Sequence, residues 1–356
     1  MIRILFRGAI ALTLVLVVVA TAAAGYRAWR QHDAARSLAI MSPNGIAEAQ
    51  FVRIGGIDQW VTIRGEDRAN PVLLILAGGP GNSLVPLAPV FRAWETPFTV
   101  VQWDQRGAGK TYGRNGAAEA PMTLERMRDD GIELTQWLLA HLQKRKLVIV
   151  GHSWGSVLGV LMVRAHPELF SAYVGTGQVV AKEEKEEILY ASLVEKVRSA
   201  NDADGRARLE AIGPPPYASQ QELLVERDVS ERYDTDAERN LEDTLRPVVL
   251  FAPEFSMADI YSMVQGSTFA ANAMYREVLG YDARTLGRRF EVPFFVFNGD
   301  RDLVTPAELA APYVDWIESP RKDFVVLPGG GHSAMLTMSD AFLAELVARV
   351  RPLAIE

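Results

Sequence analysis

The chain has 356 residues, 49% of them hydrophobic, enough for one large α/β domain with an insertion or for two modest domains. Its net charge of −7 gives no basic footprint for nucleic acid, and mild acidity is mostly a matter of solubility. The absence of cysteine excludes disulfides, thiolate metal sites and cysteine nucleophiles, and it leaves the redox compartment open.

At the start of the chain, Arg3 and Arg7 precede an uncharged stretch over residues 8–25. As a helix rising 1.5 Å per residue it spans roughly 27 Å, close to the hydrocarbon core of a bilayer. Tyr26 and Trp29 follow at the interfacial level. Residues 1–30 are therefore expected to form an N-terminal transmembrane helix, with the folded domain on the extracytoplasmic side. Ala22-Ala23-Ala24 supports an alternative, a cleaved signal and a secreted protein. The run is long for a signal sequence, and Arg27 and Arg30 follow it closely, which favours the uncleaved anchor.

Residues 31–50 carry little pattern and read as a tether. Residues 51–180 read as the first part of an α/β core. Phe51-Val52-Arg53-Ile54 and Trp60-Val61-Thr62-Ile63 flank Gly55-Gly56 as in a β-hairpin. The apolar runs over 72–76 and 98–103 suit buried parallel strands. Leu134, Trp137, Leu138, His141 and Leu142 fall at helical spacing, which places His141 at a core edge. Leu147-Val148-Ile149-Val150 and Ser171-Ala172-Tyr173-Val174-Gly175 read as two further strands.

Strand character then stops. Residues 181–289 are helix-like and charged, and Pro214-Pro215-Pro216 interrupts them, as in a helical cap. Lys182-Glu183-Glu184-Lys185-Glu186-Glu187 opens this region and reads as a solvated helix face. Residues 290–356 resume the core, with strands near 292–297 and 324–327. A last helix follows, for which Ser339 is the expected N-cap. Alternating strands and helices, broken once and resumed, imply a mostly parallel sheet flanked by helices, with a helical insertion.

The chemistry centres on Gly151-His152-Ser153-Trp154-Gly155, set between a strand and the helical run from Ser156. A nucleophile elbow needs glycine two residues before and two after the serine, because side chains there would meet the neighbouring strand or helix. Ser153 is thus the candidate nucleophile. It needs a base, and the chain has five histidines. His32 lies in the tether, His141 mid-helix, and His166 at a helix end. His152 is expected to point to the opposite side of the turn. His332 follows a strand and Gly329-Gly330-Gly331, at the strand edge where an α/β sheet presents its site. The orienting acid should lie between serine and histidine, and Asn298-Gly299-Asp300-Arg301-Asp302 offers Asp300 and Asp302, which spacing does not separate. An oxyanion hole needs two backbone N–H donors, for which Trp154 and, from Ala77-Gly78-Gly79-Pro80-Gly81, Gly79 are the candidates.

These pieces resemble the α/β-hydrolase superfamily, and more narrowly the proline iminopeptidase-like serine peptidases. The resemblance rests on Gly78-Gly79-Pro80-Gly81, Trp103-Asp104-Gln105-Arg106-Gly107-Ala108-Gly109, Gly151-His152-Ser153-Trp154-Gly155-Ser156, His166-Pro167-Glu168, Gly299 to Asp302, and Gly331-His332, in family order. It implies the α/β-hydrolase fold and a triad of Ser153, Asp302 and His332, the family's Gly-x-x-Asp pattern selecting Asp302. It implies hydrolysis of an amide or ester through an acyl-enzyme, as a prolyl aminopeptidase acting on short peptides, with no metal or organic cofactor. An esterase or amidase on a small non-peptide acyl substrate is the alternative, and a non-catalytic binding protein on the same fold ranks third. Ala77 stands where the family loop usually has histidine. Members with aminopeptidase activity hold the substrate's amine with cap glutamates, whose local context has no match in this sequence.

Overall fold

The computed structural model describes residues 2–117 and 122–355. Helix α1 (Ile2–Ser37) opens the chain, and the side chains from Leu12 to Val19 stand exposed along it. It is long and apolar enough to cross a membrane. The helix does not stop where a tether was expected, because no Pro or Gly interrupts it after Gly25 and its last turns are docked. Arg27 donates to the carbonyls of Leu250 and Phe255 at 3.0 and 2.6 Å. Gln31 donates to those of Ala252 and Phe255 at 2.7 and 2.9 Å. The next strand already begins at Ile46, so the irregular link is only residues 38–45.

Strands β1 (Ile46–Ile54) and β2 (Ile57–Gly65) form the expected antiparallel hairpin. Gly55 and Gly56 both take positive φ, +55° and +78°, as its two-residue turn demands. Then come β3 (Val72–Leu76), β4 (Thr99–Asp104), helices α2 (Gly109–Asn115) and α3 (Leu124–Leu142), β5 (Leu147–His152), α4 (Trp154–Ala165) and β6 (Phe170–Thr176). The sheet order is β1-β2-β4-β3-β5-β6-β7-β8, where β7 is Phe294–Gly299 and β8 is Lys322–Leu327. From β4 across to β8 every pairing is parallel.

β3, β4 and β5 are buried at every position, which is why β3 reads as an unbroken apolar run and the other two as mostly apolar ones. Alternate residues of β3 serve opposite layers. Val72, Leu74 and Leu76 join Leu134, Leu138, Val157 and Leu158 from the helices α3 and α4 on one face. Leu73 and Ile75 join Phe91, Trp94, Phe342 and Leu346 on the other.

Between β6 and β7 lie α5 (Lys182–Ser199), α6 (Ala203–Ile212), α7 (Gln220–Glu231), α8 (Asp236–Arg239), α9 (Leu241–Leu250) and α10 (Met257–Leu279). Leu189, Leu193, Val197, Leu209 and Val229 give this insertion a small core of its own. The expected solvated face at its start is solvated only in part: Glu183 and Glu187 are exposed. Lys185 and Glu186 are buried, because Arg227 of α7 comes back to pair with Glu186. After β7 the chain continues through α11 (Ala307–Trp316), β8, α12 (Ala334–Thr337) and α13 (Ser339–Glu345). Ser339 opens α13 without capping it: its hydroxyl accepts from Trp94 Nε1 at 2.9 Å and donates to the Val90 carbonyl at 3.0 Å.

Candidate active site

β5 ends at the elbow. Ser153 has φ +54° and ψ −118°, a backbone conformation that costs a non-glycine residue on the order of 1–3 kcal/mol. The surroundings hold it there. Its N–H donates to the Thr176 carbonyl at 2.9 Å, tying the turn to the end of β6. A Cβ on Gly151 would collide with the Gly155 carbonyl, and one on Gly155 would collide with the Leu76 carbonyl. Both glycines are therefore required by close approach, as the motif suggested.

His332 stands on the loop after β8, with Nδ1 at 3.1 and 3.2 Å from the two carboxylate oxygens of Asp302. Asp302 Oδ1 also accepts from the N–H groups of Val304 and Thr305, at 2.9 and 2.8 Å, and Oδ2 accepts from the Thr305 hydroxyl at 2.5 Å. Burial works against the charge on Asp302, but His332 and these donors outweigh it and hold the carboxyl below its ordinary range. Asp300 serves a different purpose: its carboxylate accepts from Gly329 N at 2.7 Å and fixes the β8 loop. The two aspartates that spacing left equivalent are thus separated by geometry. With Nδ1–H assigned toward Asp302, His332 Nε2 carries the free lone pair.

His152 does not point away from the site. Its ring centroid lies 5.0 Å from that of His332, and its Nε2 is 3.1 Å from the His332 carbonyl. Burial, and then the charge of His332, push its pKa down to about 4. The neutral ring is therefore the donor to that carbonyl, which can only accept. The elbow residue thereby braces the loop that carries His332.

The glycine loop after β3 lies directly against the elbow. A Cβ on Gly78 would sit 3.1 Å from His152 Nδ1 and 3.4 Å from Ser153 Cβ. Gln105 links this loop to the helix that follows the serine: its Oε1 accepts from Trp154 Nε1 at 3.0 Å, and its Nε2 donates to the Ala77 carbonyl at 3.5 Å. Trp154 occupies the first turn of α4, where backbone N–H groups have no intrahelical acceptor. Thr305 and Gln105 were not singled out from sequence. Thr305 had a local signal, a hydroxyl three residues after an aspartate in a turn.

Gly79, Ser153, Trp154 and His332 line one cavity of about 460 Å³ between the core and the insertion. The Ser153 hydroxyl has no hydrogen-bond partner among the described residues and faces this space. The insertion supplies charged side chains of both signs to the lining: Glu231, Asp234, Glu238 and Glu242, with Arg239 among them, and Lys182, Lys185 and Arg227. The acidic group reaches the His332 loop, where Glu238 accepts from Ser333 N at 2.7 Å. Burial raises the pKa of Glu231, Asp234 and Glu238, and neighbouring carboxylates push each further the same way. None of these cap residues was assigned a contact from sequence, because their convergence depends on helix packing. Among the described residues no cluster of His, Asp and Glu is arranged to hold a metal.

A family profile describing the alpha/beta hydrolase fold matches residues 71–338. The chain belongs to the α/β-hydrolase family. It is 30% identical over 315 residues to the probable aminopeptidase YbaC of Bacillus subtilis, covering 88% of this chain and 99% of that protein. The crystal structure of the proline iminopeptidase of Mycobacterium smegmatis superposes with a TM-score of 0.58 at 19% identity, covering 86% of this α/β hydrolase and 99% of that chain. A bacterial membrane phospholipase A superposes with a TM-score of 0.61 at 15% identity over 98% of both chains. At such identities the two structures speak for the shared fold alone.

Proposed function

We propose that this α/β hydrolase is a membrane-anchored serine aminopeptidase of the proline iminopeptidase type. Ser153 attacks the carbonyl carbon of the N-terminal residue. His332 Nε2 takes the serine proton, and Asp302 orients the ring and stabilises its cationic form. The N–H groups of Gly79 and Trp154 hold the oxyanion of the tetrahedral intermediate. As the C–N bond breaks, His332 returns the proton to the departing amine, leaving an acyl-serine ester. Water then adds with the same base, and the second collapse frees the amino acid and regenerates Ser153. The serine–imidazole hydrogen bond closes when substrate fills the cavity.

The observation that carries the peptidase reading is the acidic group beside His332. Carboxylates whose pKa is raised by burial and by one another gain most from a cation placed among them. The free N-terminal amine of a peptide is such a cation, and it lies two bonds from the carbonyl that Ser153 attacks. The full-length likeness to a protein named as an aminopeptidase supports the same reading. The N-terminal helix is read as the anchor, with the hydrolase domain outside the cytoplasm.

The test compares proline β-naphthylamide with its N-acetyl derivative and with p-nitrophenyl acetate. Cleavage of the free-amine amide, lost on acetylation, is expected. Glu238→Gln or Asp234→Asn should raise KM for that substrate by about tenfold, the value of one charge-assisted hydrogen bond. Turnover of the acetate ester with no cleavage of the prolyl amide would transfer the site to an esterase.

A further inference from the structure

Three basic residues of the cavity lining have no task in the scheme above. Lys182 and Lys185 begin α5, and Arg227 comes from α7. Their side chains are only 12%, 3% and 19% exposed, yet all three line the cavity that holds Ser153. Both lysines donate to one oxygen, Glu186 Oε1, Lys185 at 2.8 Å, and Arg227 reaches the same carboxylate at 2.6 and 2.8 Å. Arg227 also bonds Glu226 at 3.1 Å, whose other oxygen accepts from the Tyr217 hydroxyl at 2.7 Å.

Burial pushes the Glu226 pKa up to about 7. Glu186 stays ionised, since Arg227 and the two lysines overcome its burial. Arg227 and both lysines thus converge on one ionised carboxylate, all largely withdrawn from water. Burial and the neighbouring cations press the Lys185 pKa well below its ordinary value. Both lysine side chains donate to that shared oxygen and lie close to each other, and each terminal nitrogen keeps a further N–H for another acceptor. Basic groups so withdrawn from water gain from an incoming anion that accepts their remaining N–H donors. The catalytic cavity is the side from which one can enter.

We propose that Lys182, Lys185 and Arg227 form a carboxylate subsite for the leaving part of the substrate, so that the enzyme prefers very short peptides with a free C-terminus. This deepens the aminopeptidase reading and rests on it. The lining of the cavity that holds Ser153 carries both basic and acidic groups, and a dipeptide carries a charge of each sign at its ends. Its ammonium meets the acidic groups while its carboxylate, a few bonds beyond the scissile nitrogen, meets the basic ones. The volume of about 460 Å³ is ample for a ligand of that size. A longer peptide would place an uncharged amide where the carboxylate belongs.

Hydrolysis of Pro-Gly and of prolylglycinamide by the full-length enzyme in detergent tests this directly. The two differ only at the C-terminal group. The wild type should favour Pro-Gly in kcat/KM by about tenfold or more, as one charge-assisted hydrogen bond predicts. In Lys182→Met that preference should collapse toward unity, and Lys182→Arg should restore part of it. Equal rates on the two peptides in the wild type would overturn the subsite and leave the aminopeptidase reading standing. So would a preference that Lys182→Met does not reduce. Failure to cleave either peptide, with p-nitrophenyl acetate still hydrolysed, would overturn both.

Discussion

At the scale of single residues, His152 shows how a position inside a recognised motif acquires a second duty. In the elbow it is merely the variable residue before the serine. In the fold it is buried, and its ring holds the carbonyl of His332. Its pKa of about 4 lies below the ordinary 6.5. Between those values the unfolded chain binds the proton more strongly, so the stability His152 contributes is present above pH 6.5 and is lost as pH falls toward 4. The loss is on the order of 3 kcal/mol. His152→Gln keeps a donor for the His332 carbonyl and cannot titrate. Chemical denaturation at pH 7.5 and at pH 4.5 should show the wild type losing more stability than the variant. Equal losses would mean that the ring is not buried as described. Nothing in the sequence near His152 indicates this contact, because His332 lies 180 positions away. The separation of Asp300 from Asp302 has the same origin, since only the path of the β8 loop decides which one meets the imidazole.

Elements were legible where their signal is local. Val72–Leu76 and residues 147–150 are uniformly apolar because both faces of these strands are covered, and the hairpin turn is written in Gly55-Gly56. The start of α5 misled for the complementary reason. Lys182 to Glu187 has the composition of a solvated face, and only Arg227, 41 residues on from Glu186, converts part of it into a buried ion cluster. The same holds for α1. Its apolar half is plain from composition, whereas the docking of Arg27 and Gln31 onto the 250–255 segment requires the tertiary fold. Here the helix behaves as part of the hydrolase domain. Removing residues 1–24 should leave Tm within about 2 °C of the full-length protein, while removing residues 1–37 should lower it by about 5 °C or more through loss of the Arg27 and Gln31 bonds. Differential scanning fluorimetry in one detergent checks both. Equal Tm for the two truncations would show that the docking adds no stability.

On the scale of the whole molecule, the parallel sheet brings three distant segments to one edge. The ends of β5, β7 and β8 deliver Ser153, Asp302 and His332, and the loop after β3 presents Gly79. That assembly was readable from the order of motifs along the chain, since a right-handed α/β sheet leaves few ways to place strand ends. The cap closes over it and brings the charged groups, and these could not be read because their geometry is set by packing among α5, α7 and α8. On the proposed reading, chemistry resides in the core and selection in the insertion. If Ser153 is the nucleophile of a working triad, a fluorophosphonate probe will find it. The wild type should be labelled at Ser153 alone, Ser153→Ala should take up no label, and His332→Ala should lose on the order of 10⁶ in turnover. A folded wild type that resists the probe, or a folded Ser153→Ala protein that still reacts, would contradict the account.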